Sequence, residues 1–305
     1  MPQESNARGI LDPAVLDKLS SLALVARKVV EGFMSGHHIS PHRGSSVEFA
    51  QHRAYSPGDE LKRIDWKVFA KSERLVVKEY VEETNLSCHL LLDASESMAY
   101  SSLDWSKLDY ARWCAAALAH LVIAQRDTAG LVVFDQEARQ KVPPGNGAPQ
   151  EAAILENLEQ AEARGPTAIG EALTWLQTRL RRRGIVAIFS DFFDDIDAIV
   201  EGLRRLVFAG HEPILFRILD PQEVRFEFDG FLKLDGLEGT GVHKVDPKAI
   251  RVAYLAELEA HDQSLARQAR ALSIDYVPLQ TNHPLDAALS TYLARRGTRA
   301  RGGRY

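Results

Sequence analysis

The chain has 305 residues, 45% of them hydrophobic and 26% charged, the balance of an ordinary globular protein with one large core and an appendage. No window approaches the roughly 18 to 20 unbroken apolar residues of a membrane span, and "MPQESNARGI" lacks a signal peptide's basic start and apolar centre. A soluble, cytoplasmic protein is therefore expected. The formal net charge is −5, yet the last eleven residues, "RRGTRARGGRY", carry five arginines and no acid, so an acidic body ends in a basic tail. Such a tail suits nucleic acid or an acidic partner, but a solvated flexible end is the simpler reading.

In chain order, residues 14–34 place Val15, Leu19, Leu22, Val25, Ala26, Val29 and Phe33 at spacings of three and four, which predicts an amphipathic helix docking one face. From 36 to about 85 the pattern is irregular, with a turn at "SPGDE" and a strand at "RLVVKEYVEE". Residues 1–85 thus read as an N-terminal extension packed on the main domain.

From Leu86 to 296, short apolar runs alternate with helical patterns, which predicts a doubly wound α/β domain, a mostly parallel sheet with helices on both faces. The strands are "LSCHLLLD", "AGLVVFD", "GIVAIFSD", "EPILFRILD" and "SIDYVPL". The helices fall near 106–126, 149–163, 168–183, 195–209, 248–271 and 284–296. "ARQKVP" directly follows "VVFD" and is expected to return antiparallel as an edge, and "VRFEFDGFLKLDG" reads as a small added hairpin. Residues 297–305 form the basic tail. Cys88 in a strand and Cys114 in an alanine-rich helix read as small buried apolar residues.

In an open parallel sheet, ligands bind beyond the carboxyl ends of the strands. Two buried strands end there in Asp93 and Asp191, and "DASES" adds Ser95 and Ser97 on the first loop. Thr167, after Gly165 and Pro166 at a loop-to-helix junction, supplies a third hydroxyl. Two carboxylates in one crevice need a cation or proton between them, and an oxygen-only set points to a hard divalent ion, Mg²⁺ or Mn²⁺. Mg²⁺ takes about six oxygens and keeps some waters, so this set leaves a coordination position open. No cysteine or histidine lies in the three segments, which argues against zinc or copper. His37, His38, His42 and His52 match no tetrahedral site spacing well.

"DASES", "TAIGEAL" and "FSD" resemble, in order and spacing, the metal-ion-dependent adhesion site (MIDAS) of von Willebrand factor type A domains, a Rossmann-like fold. The resemblance covers roughly residues 86–296. It implies direct metal ligation by Ser95, Ser97 and Thr167, action largely through water for Asp93 and Asp191, and completion of the shell by an acidic residue of a protein partner. Phe192 departs from the pattern, since many such domains carry glycine after the last aspartate.

Residues 44–83, "GSSVEFAQHRAYSPGDELKRIDWKVFAKSERLVVKEYVEE", resemble the signature of the bacterial domain of unknown function 58 family. That resemblance implies a MoxR-type AAA ATPase partner and a role in assembly or maturation of other proteins. It also implies membrane helices in many members, absent from this sequence. Read on its residues alone, the segment mixes Arg53, Asp59, Lys62, Arg63, Asp65 and Lys67 around Tyr55 and Trp66. This predicts an ion-paired clasp with Trp66 buried as its anchor.

The function expected is a non-enzymatic, metal-dependent protein-binding module. The alternatives are a Mg²⁺-dependent phosphohydrolase and an RNA-associated protein using the arginine tail, nucleic acid being the less expected partner. Against the phosphohydrolase, the position two residues after Asp93 is Ser95 and not a second aspartate, and no glycine-rich phosphate loop follows the first strand.

Overall fold

The computed structural model describes residues 12–37, 49–55, 64–80, 86–180, 182–228, 232–236, 241–245 and 247–302. The chain divides into two compact units, one of residues 1–39 with 86–305 and one of Ser40–Asn85.

The larger unit is built on a six-stranded sheet. Its strands are β3 (Ser87–Asp93), β4 (Thr128–Phe134), β5 (Ala138–Gly145), β6 (Gly184–Ser190), β7 (Glu212–Leu219) and β10 (Asp275–Gln280), in the order β10-β7-β6-β3-β4-β5. All neighbours are parallel except β4 and β5, which pair antiparallel as the sequence predicts. The edge position tolerates Pro143 and Pro144 in β5, since a proline there forfeits no interior ladder bond.

Strand residues alternate between two apolar layers. Leu90, Leu92, Ala187 and Phe189 pack into one, and Leu91, Val186 and Ile188 into the other. This period of two with both faces covered explains why β3 and β6 read as unbroken apolar runs. The first layer is closed by α2 (Leu22–His37), α4 (Lys107–Ala124), α5 (Ala148–Glu159) and the start of α10 (Asp286–Gly302). The second is closed by α6 (Ile169–Gln177), α7 (Ile196–Phe208) and α9 (Pro247–Ala271). The architecture is therefore α/β with a mostly parallel sheet between helical layers.

Four local readings change. The single helix predicted over 14–34 is two, α1 (Pro13–Leu16) and α2, because the Ser21 hydroxyl accepts from the Leu24 N–H at 3.3 Å and starts a new helix. Val25, Ala26, Val29 and Phe33 of α2 are buried in the sheet unit's first layer, so this helix belongs to that unit and not to the segment after it. The added hairpin is β8 (Leu232–Gly236) with β9 (Gly241–Val245), and "PQEVR" before it forms the short helix α8 (Pro221–Arg225), started by a capping box of Asp220 and Glu223. Helix α10 runs to Gly302, so most of the predicted flexible tail of 297–305 is helical, and residues 303–305 lie outside the described residues.

The smaller unit pairs β1 (Phe49–Ala54) antiparallel with β2 (Val76–Tyr80) and carries the short helix α3 (Trp66–Ser72). The Asp65 carboxylate caps α3, accepting from the Lys67 and Val68 N–H groups at 3.0 and 3.3 Å. Trp66 is not the buried anchor predicted: it is 58% exposed, edge-on to Phe69. Among the described residues of this unit, the buried apolar side chains are Ile64, bridged to β2, and Val77. Asp59, Lys62, Arg63, His38 and His42, named in the sequence readings, lie outside the described residues.

Candidate functional site

Four adjacent parallel strands, β4, β3, β6 and β7, end in or are followed by an aspartate: Asp135, Asp93, Asp191 and Asp220. In each, one carboxylate oxygen accepts the N–H two residues on, at 3.0 Å for Glu137, 2.9 Å for Ser95, 3.2 Å for Phe193 and 2.7 Å for Gln222. These are Asx turns, and they explain why aspartate suits the point where a buried strand must turn sharply into a loop.

The remaining capacity of each carboxylate differs. Asp135 ion-pairs with Arg139. Asp220 takes the Ser102 N–H at 2.9 Å and the Ser102 hydroxyl, joining the loop after β3 to the end of β7. Asp191 Oδ2 receives the Lys107 ammonium at 2.7 Å. Asp93 Oδ2 receives hydroxyls, Ser190 Oγ at 2.6 Å and Thr167 Oγ1 at 3.3 Å.

The predicted set comes together around Asp93. Ser95 and Ser97 lie on the turn after β3, with their hydroxyl oxygens 3.1 Å apart. The loop before α6 is fastened to this turn by backbone: Glu96 N–H to Gly165 C=O at 2.8 Å and Arg164 N–H to Ala94 C=O at 2.9 Å. Gly165 takes φ +71°, a left-handed conformation that glycine adopts without strain, and this turns the chain so that Thr167 reaches Asp93. Asp93, Ser95 and Asp191 are fully buried, and Ser97 and Thr167 are half-buried.

Asp191 differs from Asp93 in its charge partner. Burial, the largest influence, would raise its pKa, but the Lys107 ammonium, the Ser97 hydroxyl and the Phe193 N–H together overcome it, so the carboxyl is held below the usual range. Asp93 shifts the other way, to about 6, pushed up by burial and by the charge of Asp191, with its hydroxyl and N–H donors only partly opposing this. Two aspartates in equivalent backbone settings thus diverge because one has a cation and the other does not.

The sequence reading missed Lys107, Glu223 and Ser190. Lys107 is buried at the first position of α4, its ammonium 2.7 Å from Asp191 Oδ2 and 2.7 Å from Glu223 Oε1, between the rings of Tyr100 and Phe193. Burial would lower its pKa, but the two carboxylates raise it above the ordinary value. Burial raises Glu223, with Lys107 opposing. Ser106 and Asp109 form a capping box that starts α4 and makes Lys107 its first residue, but that local pattern does not tell that the side chain meets Asp191. Asp220 and Glu223 form a second box opposite, leaving Glu223 aimed at the same ammonium. Arg217, buried on β7, donates to the Asp191 C=O at 3.1 Å and pairs with Asp262 of α9.

Phe192, the departure from the glycine of the adhesion-site pattern, has φ +54°. The left-handed conformation is therefore kept with a bulky residue, which is fully buried in the second apolar layer. Its N–H donates to Ser190 Oγ at 2.8 Å and its C=O lies 2.9 Å from His261 Nε2. Burial and these bonds hold a backbone that glycine would adopt without steric cost.

Among the described residues no group of three or more His, Cys, Asp or Glu is spaced to hold a metal. The donors that converge are instead one carboxylate, Asp93, and the hydroxyls of Ser95, Ser97 and Thr167, with Asp191 beside them, an all-oxygen set whose chemistry fits a hard cation. Cys88 and Cys114 are buried free thiols, as predicted, and burial pushes both thiol pKa values up, so they are poor ligands and poor nucleophiles.

An uncharacterized protein of Mycobacterium tuberculosis, Rv1480, is 28% identical over 299 residues, which is 96% of this chain and 93% of that protein. A counterpart from Mycobacterium bovis, Mb1516, matches to the same extent. Among solved structures, the conserved hypothetical protein BatB from Bacteroides thetaiotaomicron is 16% identical with a TM-score of 0.49, covering 72% of this chain and 100% of that one. The SpRpn10 VWA domain is 11% identical with a TM-score of 0.44, over 68% of this chain and 95% of that domain. Residues 51–264, spanning most of the smaller unit, the candidate site and most of α9, match the family described as "Protein of unknown function DUF58", and the chain belongs to that family.

Proposed function

We propose that this protein is a non-enzymatic binding module in which a divalent cation, Mg²⁺ or Mn²⁺, held by Asp93, Ser95, Ser97 and Thr167 with Asp191 acting through water, recruits an acidic residue of a protein partner. The observation that carries this reading is the state of Asp93: a fully buried carboxylate whose partners are hydroxyls and a backbone N–H, whereas Asp135 and Asp191 at the two neighbouring strand ends each hold a cation. A buried anion is costly without an opposite charge, and a hard cation on the neighbouring hydroxyls would supply it. The cation would supply Lewis acidity toward a carboxylate, and the chain's own residues would orient it and keep one side open.

The family resemblance extends the proposal to a MoxR-type AAA ATPase partner and to assembly or maturation of other proteins. The test is co-purification of the full chain with that ATPase, with and without EDTA, for the unaltered protein and Asp93→Ala. Complex formation that EDTA and Asp93→Ala both abolish is expected. Binding indifferent to both would remove the cation from the interaction.

Lys107 is the one observation that favours a phosphohydrolase, since such sites use a buried lysine to hold phosphate. Here its ammonium is already engaged by Asp191 and Glu223, and the residue two after Asp93 is Ser95. No turnover of an aryl phosphate is expected. Turnover lost in Asp93→Asn would replace the binding reading with an enzymatic one.

A further inference from the structure

Lys107 has no counterpart among the residues that the adhesion-site resemblance assigns, yet it is buried beside the strand-end aspartate Asp191. Its ammonium bridges Asp191 and Glu223 at 2.7 Å each. Neither carboxylate is free to turn elsewhere. Asp191 Oδ1 is committed to the Phe193 N–H at 3.2 Å, and Glu223 Oε2 to the Asp220 N–H at 2.8 Å. The buried guanidinium of Arg217 pairs with Asp262 and also attracts both acids, while Lys107 is in ion-pair contact with both of them.

We propose that Lys107 is the specificity-determining residue of this edge, a resident cation that holds Asp191 and thereby sets divalent-cation affinity at the Asp93 hydroxyl cluster low. The proposal rests on the reading that Asp93 and its hydroxyls take a divalent ion. A second cation entering beside Asp191 meets the fixed ammonium and must share its carboxylate, and like charges at that range in a buried crevice repel strongly. Removing the ammonium takes away the cation in contact with Asp191 and Glu223 and leaves Arg217 to offset the remaining acids, which favours a divalent ion. Weak intrinsic binding would then make occupancy depend on a partner's acidic residue.

The test is titration of the full-length protein with Mn²⁺ alone, followed by electron paramagnetic resonance of the free ion, for wild type, Lys107→Met and Glu223→Gln. Lys107→Met is expected to bind at least about tenfold more tightly, and Glu223→Gln, which leaves the ammonium entirely to Asp191, several-fold more weakly. A lysine with a purely structural role would give no gain. If circular dichroism shows Lys107→Met unfolded, Lys107→Met/Glu223→Gln replaces it. That variant frees Asp191 while removing one acid with the base, and tighter binding is again expected.

Wild type that binds Mn²⁺, with the lysine-free variant equal or weaker, overturns this inference and leaves the proposed metal site standing. Absence of binding in both overturns both. Binding by the lysine-free variant alone supports the resident cation and refutes metal dependence of the native chain.

Discussion

The ends of β3 and β6 are neighbouring strand termini with the same backbone device, an aspartate whose carboxylate accepts the N–H two residues on. Both carboxylates are fully buried, so desolvation acts on both. Their electrostatics nevertheless diverge, Asp93 rising to about 6 and Asp191 falling below the carboxylate range, because Lys107 reaches only Asp191. The difference teaches that at a buried strand end the aspartate is placed by turn geometry, while its charge state is decided by what a distant segment brings. The end of β6 has its counter-charge built in, and the end of β3 is met by hydroxyls and an N–H instead.

The sharpest way to break that contrast is to remove the cation that creates it. Lys107→Met should destabilise the fold by about 3–5 kcal/mol, because Asp191 and Glu223 are left buried without their counter-charge. Urea unfolding near neutral pH measures this, and a change under about 1 kcal/mol would mean that the ion pair contributes little.

β3 carries a related case at its other end. Burial, with the nearby His211, lowers the His89 pKa to about 4, so the folded chain excludes a proton that the unfolded chain binds. Stability is therefore full above about 6.5 and falls as pH drops from 6.5 towards 4, by about 3 kcal/mol in all for this group. Comparing urea unfolding at about pH 7 and about pH 4.5 for wild type and His89→Leu checks it. A pH dependence of equal size in the two proteins would remove His89 as its source.

Asp93→Asn should go the opposite way to Lys107→Met. Without a bound cation, replacing the buried charge by a neutral isostere should leave stability unchanged or raise it by about 1 kcal/mol, while Mn²⁺ binding is lost. A loss of more than about 2 kcal/mol would show that the hydroxyls around Asp93 satisfy its charge already.

The smallest effect is expected at Trp66, which is 58% exposed. Trp66→Ala should alter unfolding free energy by no more than about 0.5 kcal/mol, as substitutions at exposed sites do. A loss of several kcal/mol would restore the buried anchor that the sequence suggested.

Much of this was legible because it is local. Short unbroken apolar runs such as β3 and β6, and the shift to helical spacing between strands, define a parallel sheet between helical layers. The Asp-terminated strands "LLLD", "VVFD", "IFSD" and "RILD" were equally visible, and all four prove to be turn-formers. What could not be read was which of the four would meet a cation, since Arg139 and Lys107 were indistinguishable from surface residues until packed. Trp66 misled for the converse reason. Aromatic character favours burial on average, but the Asp65 cap fixes where Trp66 sits on a seven-residue helix, and the buried places in that small unit go to Ile64 and Val77.

The sequence by itself determined the α/β architecture, the antiparallel edge, the burial of both cysteines and the convergence of Asp93, Ser95, Ser97 and Thr167. These follow from hydrophobic period, from turn chemistry and from the requirement that parallel strands end on one side. Only the tertiary structure decided that Phe192 holds a left-handed backbone by core packing, that helix 22–37 belongs to the sheet unit, and that Lys107, 84 residues before Asp191, is its counter-ion. Charge pairing across such separations depends on which helix start the fold sets opposite which strand end, and no local pattern encodes it.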